Sequence, residues 1–135
     1  MNEKSVLDYT KKISGFLIAI SIVWIIIILN QLVIGLITAV FGYGLATLGC
    51  AAWNIVQTVK DFKLASKLRN CNNIQYADIL LQGIENSIAS CWIFMFINLF
   101  LGGFVGVFGN LAFLILAYCV KSKRKELVPV FHPNF

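Results

Sequence analysis

Charge is missing from two long stretches of this chain. No Asp, Glu, Lys or Arg stands between Lys12 and Lys60, and none between Glu85 and Lys121. A soluble helix of that length needs a polar face, whereas uncharged apolar runs on this scale span membranes. Proline occurs only at Pro129 and Pro133, so nothing before the C-terminal segment forces a helix to break. The lone histidine, His132, has no Cys, Asp or Glu at ligand spacing. Cys50, Cys71, Cys91 and Cys119 form neither a CxxC pair nor a Cys/His pattern, which excludes a recognisable metal or disulfide framework. The carboxylates number six, and no nucleophile–base–acid set, GxSxG, HExxH or phosphate loop is present. The chain is therefore expected to be non-enzymatic, without cofactor or metal.

Apolar residues make up 59% of the sequence and the mean hydropathy is +0.84, beyond the range of an ordinary water-soluble globule. The first apolar run is far longer than a signal-peptide core and ends in no small-residue cleavage pattern. The net charge is +5 and the Lys and Arg residues fall in three clusters. Lys4, Lys11 and Lys12 form the first; Lys60, Lys63, Lys67 and Arg69 the second; Lys121, Lys123, Arg124 and Lys125 the third. Basic residues favour the cytoplasmic side of a bilayer, so an even number of crossings separates each pair of clusters. The expected fold is an all-α, integral-membrane four-helix bundle made of two transmembrane hairpins, with both termini cytoplasmic. It forms a single domain. The expected spans are 13–31, 33–59, 84–101 and 103–120, with a basic loop at 60–83 and a basic tail at 121–135. One tilted helix over 86–120 is the alternative, but it would leave the last basic cluster outside. The flanking positives orient the chain and meet anionic headgroups, each contributing about 1 kcal/mol near the surface. Lys60, Lys63, Lys67, Arg69, Lys121, Lys123, Arg124 and Lys125 are the expected headgroup contacts. Nucleic acid is not an expected partner.

Local signals refine this layout. Asn30 and Gln31 mark the first outer turn, and Leu101-Gly102-Gly103 the second. Lys60, Lys63 and Lys67 recur at helical spacing with no Gly or Pro among them, so the second helix continues past the membrane to about Arg69. Asn73 then caps the next helix. The third span is short for a hydrocarbon core of ~30 Å and draws Ile84 toward the interface. Pro129 and Pro133 make the last ten residues a non-helical tail.

Small residues give the clearest packing signal. Gly35, Ala39, Gly42, Ala46 and Gly49 form one helical face of the second span, and Gly102, Gly106 and Gly109 form another in the fourth. Such faces let membrane helices approach closely, either within the bundle or against another copy or another protein. Asn54, Asn98 and Asn110 fall at membrane depth and need partners there. They are expected to face the bundle, or else to line a polar path. Trp53 suits the interface and Trp24 and Trp92 interior packing, while Cys71 is expected to be open to labelling. Glu85 belongs at the wet interface, and Asp78 and Glu85 share a face of a solvated helix. Val40-Phe41-Gly42 and Val107-Phe108-Gly109 hint at an internal repeat.

The run Trp53-Asn54-Ile55-Val56-Gln57 into Lys60-Asp61-Phe62-Lys63-Leu64-Ala65-Ser66-Lys67-Leu68 follows a glycine-bearing span. It precedes an Asn-rich break and an acidic approach to a third span. Over roughly 33–105 this resembles small bacterial four-span membrane proteins grouped as a domain of unknown function. The resemblance implies an integral membrane protein and carries over no catalytic residue, while the absence of glycosylation sequons from the outer loops and the compact size point to the bacterial cytoplasmic membrane. In size and span number the chain also resembles dual-topology fluoride channels and small multidrug transporters. It departs from them in its one-sided charge and in a first span without a carboxylate. The expected role is an accessory or structural component acting through helix packing and a basic cytoplasmic face, with another membrane protein or a second copy as partner. A homo-oligomeric channel or small-solute transporter is the alternative, and a holin-like membrane-perturbing protein a further one.

Overall fold

A computed structural model of the chain describes residues 3–102 and 104–131, with side-chain environments through Leu127. Five α-helices follow one another: α1 (Glu3–Thr38), α2 (Tyr43–Arg69), α3 (Ile74–Asn86), α4 (Ile88–Leu101) and α5 (Gly106–Phe131), with a single 3-10 turn, Ala39–Phe41, between α1 and α2. The described residues contain no strand. Among the described residues, three stretches are long and apolar enough to cross a membrane: Glu3–Phe41, Ile74–Leu101 and Gly106–Leu127.

The longest helix pair is the antiparallel hairpin α1–α2. Its turn is not at Asn30 and Gln31, as the polarity of that pair predicts; α1 passes through both without a break and runs on to Thr38. Gln31 is fully buried and hydrogen-bonded to two other helices, so it satisfies its polarity inside the protein and needs no water. The chain reverses at Gly42, whose φ of 75° is open to glycine at little cost. Directly after it, Gly44 lets the two helices touch. A Cβ there would overlap the Gly35 carbonyl oxygen and the backbone of Thr38 and Ala39. At the far end of the hairpin the Ser14 hydroxyl donates to the Ala65 carbonyl at 2.6 Å.

That far end is a packed, basic cap. Val6 of α1, Leu68 of α2, Leu81 of α3 and Leu127 of α5 are fully buried in one core. Lys60, Lys63, Lys67 and Arg69 stay exposed. The helical spacing read from the sequence thus separates the solvated lysines from buried Ala65 and Leu68. Arg124, one of the expected headgroup contacts, has partners within the protein. Its guanidinium bonds Asp78 at 2.9 Å and also Glu85, tying α5 to α3, so the two carboxylates share a cation and not merely a solvated face. Cys71 also departs from expectation, being buried with its thiol donating to the Asn73 carbonyl at 3.2 Å. Cys119 is the exposed thiol among the four.

Asn73 caps α3 as expected, its side chain accepting from the Gln75 and Tyr76 amides at 2.8 and 3.2 Å. Only Ser87 separates α3 from α4. Residues 74–101 are therefore one nearly continuous, kinked rod, and α4 alone would reach only about 21 Å. Leu101 ends α4 and Gly102 caps it, where the second outer turn is expected. At the other end α5 stays helical to Phe131, past Pro129. A proline this near a helix end interrupts a single backbone bond, so the expected ten-residue tail is shorter. His132 and Pro133 lie outside the described residues. The two Val-Phe-Gly segments are not equivalent, because 40–42 make the turn while 107–109 lie in α5. Outward, Ile26, Leu36, Ile37 and Val40 are 64–89% exposed, an apolar jacket that a protein in water rarely carries over so long a helix.

Candidate functional site

Three amide side chains from three helices meet in the interior. Gln31 of α1, Asn54 of α2 and Asn98 of α4 are all at most 3% exposed. Asn54 Nδ2 donates to Gln31 Oε1 and Asn98 Oδ1, both at 2.9 Å. Gln31 Nε2 donates to Asn98 Oδ1 at 3.1 Å and to the Gly102 carbonyl at 3.0 Å. Asn98 Nδ2 closes the ring, donating to Asn54 Oδ1 at 3.5 Å and to the Phe94 carbonyl at 3.0 Å. Each amide nitrogen has two acceptors and each amide oxygen at least one donor. No described buried side-chain nitrogen or oxygen lacks a partner.

The cluster also ends α4. The last carbonyls of a helix have no partner within it, and in an apolar medium each unmet group costs several kcal/mol. Here side chains of α1 and α2 meet them. The Tyr43 hydroxyl donates to the Phe100 carbonyl at 3.0 Å, Thr47 Oγ1 to Leu101 at 2.9 Å and Gln31 to Gly102. The sequence reading of Asn54 and Asn98 as bundle-facing is met in this arrangement. Asn110 does not join them. It takes the Cys91 thiol on its backbone carbonyl at 3.4 Å and bonds its own helix at Gly106.

The glycines of α5 and its preceding turn shape this interior. A Cβ on Gly106 would overlap the Asn98 side chain, and one on Gly102 would sit 2.8 Å from both Asn98 Oδ1 and Gln31 Nε2. A Cβ on Gly109 would press into the Trp24 indole. The expected face Gly102, Gly106 and Gly109 is thus a true close approach. The other stripe is not one face. Gly35 lies in α1, Ala39 and Gly42 in the turn, and Ala46 and Gly49 in α2. Gly35 is packed against Leu48, while Gly49 meets nothing within 4 Å. The stripe is broken because the turn falls inside it.

Beside the cluster is a cleft of ≈ 510 Å³ between α2 and α4, floored by Trp24 of α1 and by Asn110 and Phe113 of α5. Trp53 and Phe94, both in its lining, stack with ring centroids 5.1 Å apart. Gln57, Ser87 and Ser90 add polar groups to the lining, and Lys60 and Asp61 its charges. Asp61 has no ion-pair partner among the described residues. Burial pushes its carboxyl from the ordinary 3.8 up to about 7. Trp92 is partly exposed on the outer side of α4, donating to the Tyr118 hydroxyl at 2.9 Å, so it does not pack inside as expected.

Three site residues escape sequence reasoning: Gln31, Gly44 and Asp61. Gln31 and Asn54 lie at nearly equal distances from Gly42, which a turn placed at Gly42 would have paired. Asp61 follows Lys60 directly and reads as one more loop charge. No protein-family model matches the chain, and no curated protein or solved structure matches it.

Proposed function

We propose that this chain is an integral protein of the bacterial cytoplasmic membrane with four crossings and both termini cytoplasmic. In this reading it serves as a non-enzymatic accessory or structural component. The three stretches able to cross a bilayer support the membrane assignment. The fourth crossing is α2. Its pairing with α1 at Gly44–Gly35, Asn54–Gln31 and Ala65–Ser14 keeps it level with α1 along its length. The polar groups that interrupt its apolar character, Thr47 and Asn54, are buried against α1 and α4, which suits a helix at membrane depth.

The observation that carries the role is the closed amide cluster. A conduit along Asn54 and Asn98 needs amides that turn toward water, whereas these spend their hydrogen bonds on one another and on the end of α4. The bundle is built as a locked scaffold. Its apolar jacket and basic cap are then its working surfaces, toward lipid, another membrane protein and anionic headgroups.

The test is the mass and composition of the complex extracted from native membranes, with ion and solute flux measured after reconstitution. The expected result is a reproducible second membrane protein and no flux above that of protein-free vesicles. A homo-oligomer whose flux is abolished by Asn54→Leu would overturn the scaffold reading in favour of a channel. Arrested growth with a collapsed membrane potential on modest expression would favour the membrane-perturbing reading instead.

A further inference from the structure

We propose that the cleft between α2 and α4 binds one aminophospholipid, its ammonium on Asp61, its phosphate on Lys60 and an acyl chain along Trp24, Trp53, Phe94 and Phe113. The inference rests on the membrane reading above and gives the scaffold a specific lipid ligand.

Shape is the first argument. The two walls are held together at one end by Tyr43–Phe100, Thr47–Leu101 and Asn54–Asn98, and close in the Trp53–Phe94 stack. Lys60 and Asp61 line the same cleft about two turns further along α2. Its ≈ 510 Å³ lies within the usual range for a small-ligand site, roughly 300–1,000 Å³.

Polarity is the second. Along α2 the lining passes from Trp53 through Gln57 to Lys60, Asp61 and Leu64, and on the opposite wall from Phe94 to Ser90 and Ser87, with Trp24 and Phe113 beside them. That gradient is the gradient along a phospholipid. Lys60 is also the residue at which the uncharged stretch ends, so the charged part of the lining lies at headgroup depth and the aromatic part at acyl-chain depth.

Charge selects the headgroup. Lys60 and Asp61 both line the cleft, and neither has an ion-pair partner among the described residues. Above the raised Asp61 value of about 7, an anionic lipid would satisfy Lys60 but be repelled by the Asp61 carboxylate, and a simple amine would do the reverse. A headgroup carrying both phosphate and a primary ammonium satisfies both, and its N–H groups can bond the carboxylate. A quaternary ammonium carries the charge but no N–H.

The test uses the full chain with Trp92→Phe, delipidated in detergent, so that fluorescence reports Trp24 and Trp53. Phospholipids with identical brominated acyl chains are titrated in, bearing ethanolamine, choline or glycerol headgroups. The expected result is saturable quenching by the ethanolamine lipid at about tenfold lower concentration than by the glycerol lipid. Choline should fall between them. Asp61→Asn should bring the ethanolamine and glycerol lipids to within about twofold of each other. Lys60→Gln should weaken the ethanolamine lipid, and Ser90→Phe, which fills the cleft, should abolish saturation. Non-saturating quenching that is equal for all three lipids would overturn the proposal. So would an equal or tighter fit of the glycerol lipid, or a partner helix found crosslinked in the cleft. Membrane insertion of the Asp61→Asn protein is read separately. Absence of lipid preference in a parent chain that inserts normally would sink this inference alone, whereas a failure of the parent chain to insert would sink the membrane reading beneath it.

Discussion

At the scale of single residues, the interior depends on hydrogen bonds that have no substitute. Asn98 touches Gln31, Asn54 and the Phe94 carbonyl at once. Replacing it by Leu strands donors on two buried neighbours. Asn98→Leu is expected to lower stability by about 1–3 kcal/mol, measured by reversible unfolding in mixed micelles. The triple variant Gln31→Leu/Asn54→Leu/Asn98→Leu should cost less than the sum of the three single changes, because groups removed together leave no stranded partner. Strict additivity would mean that the amides do not act as one cluster. Asp61 offers a separate test through pH. The groups around it are Lys60 on its own helix and Cys91 on α4; Trp24 of α1 and Asn110 and Phe113 of α5 are uncharged. Its folded value of about 7 lies above the ordinary 3.8, so the folded protein holds a proton that the unfolded chain has released. Stability should therefore be greatest below the lower value, fall as pH rises between the two, and level off above the upper one. Thermal midpoints of delipidated protein across that range check the slope, and Asp61→Asn should flatten it.

At the scale of elements, glycine does different work on different helices. Gly44 and Gly109 are enclosed by the α1 backbone and the Trp24 ring, whereas Gly49 meets nothing. Gly109→Ala should cost about 1–3 kcal/mol through overpacking, and Gly44→Ala more because its obstruction is backbone. Gly49→Ala should be neutral or stabilising by up to about 1 kcal/mol, since alanine is the better helix former. Unfolding midpoints of the three variants test the ranking. These outcomes also show what the sequence makes legible. Helix content, the extension of α2 to Arg69, the Asn73 cap and the second turn all follow from local signals, namely charge spacing, capping chemistry and a Gly pair. The first turn does not. A polar pair at Asn30 and Gln31 has the chemistry of a turn, and only contacts with Asn54 and Asn98 make it interior. That one displacement splits the Gly35–Gly49 stripe between two helices and hides Gly44. The cleft is illegible for the same reason, since its lining comes from α1, α2, α4 and α5, and no local pattern records how these helices meet.

At the scale of the whole molecule, the two ends are built differently. One end is sealed by amides and by side chains that cap α4. The other is a charged cap in which α1, α2, α3 and α5 share a core and Arg124 bridges Asp78 and Glu85. Placed across a bilayer, this asymmetry agrees with the three basic clusters, all of which fall at the capped end. The account therefore stands on α2 crossing the membrane beside α1. The most direct test is labelling of single cysteines in a background where Cys50, Cys71, Cys91 and Cys119 are replaced, comparing intact and permeabilised cells with a membrane-impermeant maleimide. Gly42→Cys and Phe104→Cys should label from outside in intact cells, and Lys63→Cys and Lys121→Cys only after permeabilisation. Labelling of positions 42 and 63 from the same side would contradict the account, because α2 would then not cross.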